Sequence, residues 1–209
     1  MHPKEYIIHN LFPTPIYKTD IGRKFDEKES NFVKEQKNHC YSNTGNSRSK
    51  DSYILNRSEF KNIKKFLEEH CQNYLDTIIC PKQNLKLYVT QSWLNYTEAN
   101  QHHHKHEHPN SVVSGVLYFD SDKEKDKILF SNPEGYKQLV PAIDNTKFNL
   151  WNSSTWFFPV ETGDLFMFPS STTHQVETKQ GNNTRTSLSF NTFYEGTLGS
   201  LDILTELKL

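Results

Sequence analysis

The chemistry in this sequence concentrates in NQHHHKHEHPN, Asn100 to Asn110, which holds five of the chain's ten histidines: His102, His103, His104, His106 and His108. Residues two apart on an extended strand project to the same side, so His106 and His108 form a pair able to chelate one ion. Neutral imidazole suits iron, zinc, copper and nickel. A solvated loop is the other reading, because a histidine-rich tract alone is only a compositional hint. A third histidine lies far along the chain. The segment GDLFMFPSSTTHQV gives a turn at Gly163-Asp164, an apolar strand and a loop carrying His174. Taken alone, a histidine after a strand is more often structural than a ligand. Eleven residues beyond it stands Arg185, in NNTRTSLSFN. On an extended strand Arg185, Ser187, Ser189 and Asn191 share one face, with Leu188 and Phe190 on the other. Such a polar face suits a sheet interior that holds a small anion: arginine offers a planar fork for a carboxylate, and a serine hydroxyl adds a second donor.

The elements that must position these residues read as mainly β. NLFPTPIYKTDI, broken by Pro13 and Pro15, is an expected edge strand. Gly22 to Asp51 is polar and ends in YSNTGNSRSKDS, which predicts a mobile loop or lid. One helix is expected next: Phe60, Ile63, Leu67, Cys71, Tyr74 and Ile78 recur at three- and four-residue steps, with Asn56 or Ser58 as its cap. After Pro81 the period becomes two. In NLKLYVTQSWLNY, alternation predicts that Leu85, Leu87, Val89, Gln91, Trp93 and Asn95 share one face. SVVSGVLYF, KILFSN, TWFFPV, DLFMF, HQVET and TRTSLSFNTF are further strands, and many short strands with turns between them predict a sandwich, barrel or jelly roll.

Composition narrows the function classes. A chain of 209 residues with Phe 14 and Tyr 10 can build one domain with a proper core, spanning 1–209. A formal net charge of -1 gives no electrostatic case for nucleic acid or an anionic membrane as the main partner. Cys40, Cys71 and Cys80 form no CxxC, which predicts free thiols in a reducing compartment and no thiolate metal site. No stretch suits a bilayer span, and MHPKEYIIHNLF lacks the apolar core of a signal peptide. A soluble, cytoplasmic protein is expected, in the host cytoplasm if phage-encoded.

HxH, a distant histidine and an Arg-x-Ser beyond it, in that order, resemble the 2-oxoglutarate/Fe(II)-dependent dioxygenases. Nearer still is a family of oxygenases of this class from bacteria and tailed phages. The similarity is carried by FPTP at Phe12–Pro15, SWLN at Ser92–Asn95, HEHPNSVVSGVLYF at His106–Phe119, GDLFMFPSSTTH at Gly163–His174 and RTSLSFN at Arg185–Asn191. Together these cover almost the whole chain.

The resemblance implies a double-stranded β-helix of the jelly-roll, cupin-like kind with a supporting N-terminal helix. It makes His106 the first ligand of an Fe(II) ion and His174 the last. Arg185 and Ser187 then hold the far carboxylate of 2-oxoglutarate, and Tyr118 matches a position where relatives place a hydroxyl against that carboxylate. A core aromatic with a wet tip is the other reading of Tyr118, and Asn95 is a further candidate for the cavity wall. The chain departs from the superfamily at His108, where a carboxylate is usual. Glu107 would face away on a regular strand unless a bulge returned it, so His108 is the expected ligand, giving a three-histidine centre. His102, His103 and His104 are expected in a loop at the cavity mouth. The implied reaction couples decarboxylation of 2-oxoglutarate by O2, yielding succinate and CO2, to hydroxylation of an unactivated C–H bond. A peptidyl proline, another side chain or a small molecule all remain open as substrate. Two alternatives stand beside it: a cupin-like three-histidine metal protein that does not use 2-oxoglutarate, and a non-catalytic phage β-sandwich binding module.

Overall fold

A computed structural model describes residues 5–132, 142, 144 and 146–209. The first four residues of the N-terminal segment read above lie outside that set. Among the described residues thirteen strands form: β1 Tyr17–Asp20, β2 Cys40–Asn43, β3 Asn46–Ser49, β4 Lys86–Thr97, β5 His103–His106, β6 Val113–Asp120, β7 Lys127–Ser131, β8 Thr155–Pro159, β9 Asp164–Pro169, β10 His174–Val176, β11 Arg185–Glu195 and a terminal hairpin of β12 Thr197–Leu198 with β13 Leu207–Lys208. The same residues form two α-helices, α1 Glu27–Gln36 and α2 Lys61–Tyr74. The large sheet has the order β1-β9-β6-β11-β4-β3-β2 and the small one β5-β10-β7-β8. Every pairing within the two is antiparallel. This is the mainly β, jelly-roll architecture expected from the strand pattern, with β1 at one edge.

Alternation along the strands splits the apolar residues into two cores. On the outer face of the large sheet, α2 buries Ile63, Leu67, Cys71 and Tyr74, one stripe of a 3.6-residue period, against Leu94, Leu117, Leu188 and Phe190. Between the sheets, Val116, Tyr118, Ile128, Phe130, Phe166 and Phe168 form the second. Gly115 lets the sheet close on α2: a Cβ there would lie 2.2 Å from the Phe190 ring, too close for any side chain.

Three expectations are corrected. The polar stretch from Gly22 to Asp51 is not one long loop. Its first part is α1, fixed by a capping box in which the Asp26 side chain accepts from the Glu29 amide and the Glu29 side chain accepts from the Asp26 amide. Arg23 grips the buried Glu29 at 2.6 and 2.7 Å. Its second part is the β2–β3 hairpin, turned at Thr44-Gly45 with Gly45 at φ 88° and joined to the large sheet through β4. The long helix lacks the predicted cap: two 3-10 turns, Ile54–Asn56 and Ser58–Phe60, lead into it without a side-chain cap bond. Finally, the faces of β4 do not run through. The pairing of β4 with β11 shifts between Asn191↔Gln91 and Thr192↔Val89, leaving Thr90 as an extra residue. One extra residue inverts the alternation. Leu85 and Leu87 therefore face the outer core with Leu94 and Tyr96, whereas Trp93 and Asn95 turn into the space between the sheets.

Candidate metal centre and anion site

His106 and His174 meet because their strands pair: His106, the last residue of β5, is the direct cross-strand partner of His174, the first of β10. Directly opposed residues share a face with Cβ atoms about 5 Å apart, and their rings stand 4.3 Å apart. His108 is not on the strand, contrary to the alternation argument. It lies in the loop beyond, where its amide donates to the Ser170 carbonyl at 3.0 Å. That anchor brings its ring within 4.8 Å of His106 and 5.2 Å of His174. The three offer one ring nitrogen each, all within 4.8 Å of one another.

The tautomers of two of them are fixed by their partners. The Nδ1 of His106 bonds the His104 carbonyl at 2.8 Å, and that of His174 bonds the Thr172 carbonyl at 3.0 Å. A carbonyl only accepts, so Nδ1 carries the proton and Nε2 presents its lone pair, the arrangement a metal-binding imidazole needs. Burial, reinforced by the neighbouring imidazoles, pushes His108 down to about 4 and His174 to about 3 and lowers His106 as well. All three are therefore neutral at pH 7, as ligation requires. Glu107 points elsewhere, accepting from the Thr173 hydroxyl, so the trio contains no carboxylate.

Neither His103 nor His104 is in a mouth loop; both are on β5, and His103 reaches the site. His103 is half-buried, stacks on His106 with rings 4.6 Å apart and lines the cavity. A second trio, His103, His104 and His106, also brings ring nitrogens within 4.8 Å. His106 belongs to both trios and has one free ring nitrogen, so they compete for a single ion. His102 sits apart, its amide bonded to the Gly45 carbonyl at the tip of the β2–β3 hairpin.

Past the histidines the cavity is walled by Tyr118, Ile128, Arg185 and Ser187. Arg185 is 4% exposed and Tyr118 1%. Arg185, Ser187 and Ser189 do share the inner face, while Leu188 and Phe190 pack outward. Burial drives the Tyr118 phenol upward, so its hydroxyl stays protonated and able to donate. Two partners that sequence reasoning missed flank Arg185. Asp126, in the turn before β7, accepts from Arg185 at 3.2 Å and lies 3.4 Å from the fully buried Lys179 ammonium. Two cations against one carboxylate leave the cluster with a net charge of +1 inside the protein, where an unbalanced charge is costly unless an anion joins it. Nothing in the sequence pattern marks Asp126 or Lys179, since each stands in a loop without periodicity. Trp93 was also missed, because the bulge at Thr90 hid its inward turn; its ring lies 5.8 Å from His108.

Residues 91–191 match the family described as "Putative 2OG-Fe(II) oxygenase". The match covers just under half of the chain, and over that stretch the chain is similar to the 2-oxoglutarate/Fe(II) oxygenases. Among solved structures of similar fold is HygX from Streptomyces hygroscopicus with nickel, 2-oxoglutarate and hygromycin B bound, at 10% identity and a TM-score of 0.58, over 86% of this chain and 82% of that one. A Pseudomonas putida prolyl-4-hydroxylase shares 10% identity with a TM-score of 0.56, over 85% of this chain and 92% of that one. A Burkholderia pseudomallei oxidoreductase of the 2OG-Fe(II) oxygenase family shares 13% identity with a TM-score of 0.54, over 78% and 76%. At these identities the likeness shows the fold. No curated protein matches the chain. Among the described residues no helix is long and apolar enough to cross a membrane.

Proposed function

We propose that this chain is a metal-dependent oxygenase of the 2-oxoglutarate/Fe(II) superfamily, a single domain over residues 1–209, whose ion is held by His106, His108 and His174. The observation that carries the reading is the trio of neutral imidazoles, buried at His174 and half-buried at His106 and His108, in a cavity that also contains a buried arginine with its charge only half answered. The donor set fits a first-row ion, since imidazole serves iron, nickel and zinc alike. Iron with a chelating 2-oxo acid supplies the O2 activation and C–H oxidation that no side chain here can provide. The chain's own residues do the rest. Arg185, oriented by Asp126, pairs with the far carboxylate of 2-oxoglutarate, and Ser187 and Tyr118 donate to the same group. The apolar wall of Ile128, Phe168 and Val176 keeps water from the ion. The reaction expected is hydroxylation of a C–H bond.

A second reading has an observation of its own. Neither trio includes a carboxylate, and Arg185 already holds one in Asp126. On the metal side this favours a three-histidine oxygenase that does not use 2-oxoglutarate, and that donor set is the firmer half of the proposal. The two readings part on one titration. Adding 2-oxoglutarate anaerobically to the Fe(II)-loaded protein should raise the weak visible band of a chelated 2-oxo acid, lost in His174→Ala and Arg185→Ala. Metal binding without the band, and with Arg185→Ala indifferent, establishes the second reading. No metal binding at all overturns both.

A further inference from the structure

The register of the large sheet lays one row of residues across five strands. Tyr118 on β6 opposes Ser187 on β11, Ser187 opposes Asn95 on β4, Asn95 opposes Arg48 on β3, and Arg48 opposes Tyr41 on β2. Directly opposed residues point the same way, so all five project from the face that bears the cavity. Strands lie about 5 Å apart, which puts Arg48 about 15 Å from Tyr118. One end of the row is therefore the Arg185 pocket and the other is the β2–β3 hairpin; Asn95, within the row, lines one cavity with His106, His108 and His174.

Two features of the outer half are unanswered within the protein. Asn95 is 2% exposed and lines the cavity; its Nδ2 donates to the Ser189 hydroxyl at 2.9 Å, but its Oδ1 is buried without a partner. Turning the amide over would only leave its NH2 unmet instead, so the site asks for a group that a hydroxyl or an amide can supply. Beyond it, the Arg48 guanidinium lies 5.4 Å and the Lys50 ammonium 5.5 Å from the same Tyr41 ring. Arg48 makes one hydrogen bond, to the Ser49 carbonyl, and neither cation has a carboxylate partner among the described residues. Two cations crowded on one ring without a counterion form an anion-binding platform.

We propose that the substrate carries an anionic group, a carboxylate or phosphate, held by Arg48 and Lys50, and nearer the histidines a hydroxyl or amide that bonds Asn95. Trp93, between Asn95 and His108, would cover the part of the substrate presented to the ion. This rests on the oxygenase reading above and adds the substrate class to it.

The test titrates the Ni(II)-loaded full chain with three probes by ligand-observed NMR: N-acetylglycine, which has an amide and a carboxylate, glycerol 3-phosphate, which has hydroxyls and a phosphate, and the neutral N-acetylglycinamide. At least one anionic probe should bind more tightly than the amide. Arg48→Gln should weaken it about fivefold, the usual size of one exposed ionic contact. Lys50→Gln, at an exposed position, should act in the same direction. The stronger of the two anionic probes tells carboxylate from phosphate. Equal response to all three, or loss of the anion in Arg185→Gln and not in Arg48→Gln, overturns the proposal. Parallel titration with 2-oxoglutarate keeps the two failures apart. Discrimination at Arg48 without 2-oxoglutarate binding removes the cosubstrate and leaves the anion platform. The reverse removes the platform alone.

Discussion

Replacing Asp126 by Asn removes a carboxylate shared by two buried cations, Arg185 and Lys179. The Asp126 oxygens lie 3.2 Å from Arg185 and 3.4 Å from Lys179, and the side chains of Asp126 and Lys179 are fully buried. At an effective dielectric near 20 each attraction is worth about 5 kcal/mol. Relaxation and entering water reduce this, and breaking a buried pair from one side typically costs about 3–5 kcal/mol. At about 2–4 °C per kcal/mol for a chain of this size, Asp126→Asn should melt roughly 6–20 °C below the parent. Lys179→Met in the same background should recover part of the loss, because it removes one of the two stranded cations while filling similar volume. Succinate should raise the melting temperature of Asp126→Asn more than that of the parent, since the variant cluster has a charge of +2 to answer where the parent has +1. Thermal and urea unfolding of the four proteins (parent, both single variants and the double) read all of this directly. A loss below about 1 kcal/mol in Asp126→Asn, or equal costs for the two single variants with no coupling between them, would refute the idea of an undercompensated buried cluster.

Two further outcomes follow from the histidines. His108 and His174 are depressed to about 4 and about 3 when folded, so between those values and the ordinary 6.5 the unfolded chain binds more protons than the folded one. Stability of the metal-free protein must then fall as pH drops below 6.5, by about 2 kcal/mol per histidine at pH 5. The difference between parent and His174→Asn isolates this from carboxylate titration; a difference that stays constant from pH 7 to pH 5 contradicts it. The ligand assignment is tested by a pair of variants: Glu107→Gln should leave Ni(II) affinity unchanged, whereas His108→Ala should lower it by at least about tenfold. Calorimetric titration measures both, and a loss in Glu107→Gln would mean that the acid swings in.

The fold was legible wherever burial imposes a period. Apolar alternation in SGVLYF and TSLSF located β6 and β11 and told which residues face inward, because each of those strands has a core on one side and a polar cavity on the other. The stripe from Ile63 to Tyr74 located α2 for the same reason. The capping box Asp26-x-x-Glu29 was equally present in the sequence as the signal for α1, but with only Val33 as a buried apolar residue it lacked a stripe to support it. The Thr44-Gly45 turn had its glycine signal too, yet its flanking strands are polar and depend on β4 for their existence.

The sequence by itself determined the kinds of ligand available and their order along the chain, because histidine, arginine and serine have chemistry wherever they stand. Tertiary structure decided which of them meet. Pairing of β5 with β10, set by backbone hydrogen bonds between segments about seventy residues apart, sets His106 opposite His174. One unpaired residue at Thr90 turns Trp93 and Asn95 from the outer core into the cavity, a choice the alternation itself cannot make. The register across five strands aligns Arg48 with Tyr118. Asp126 and Lys179 find Arg185 from loops, where no period constrains a side chain and only the packed protein brings charges together.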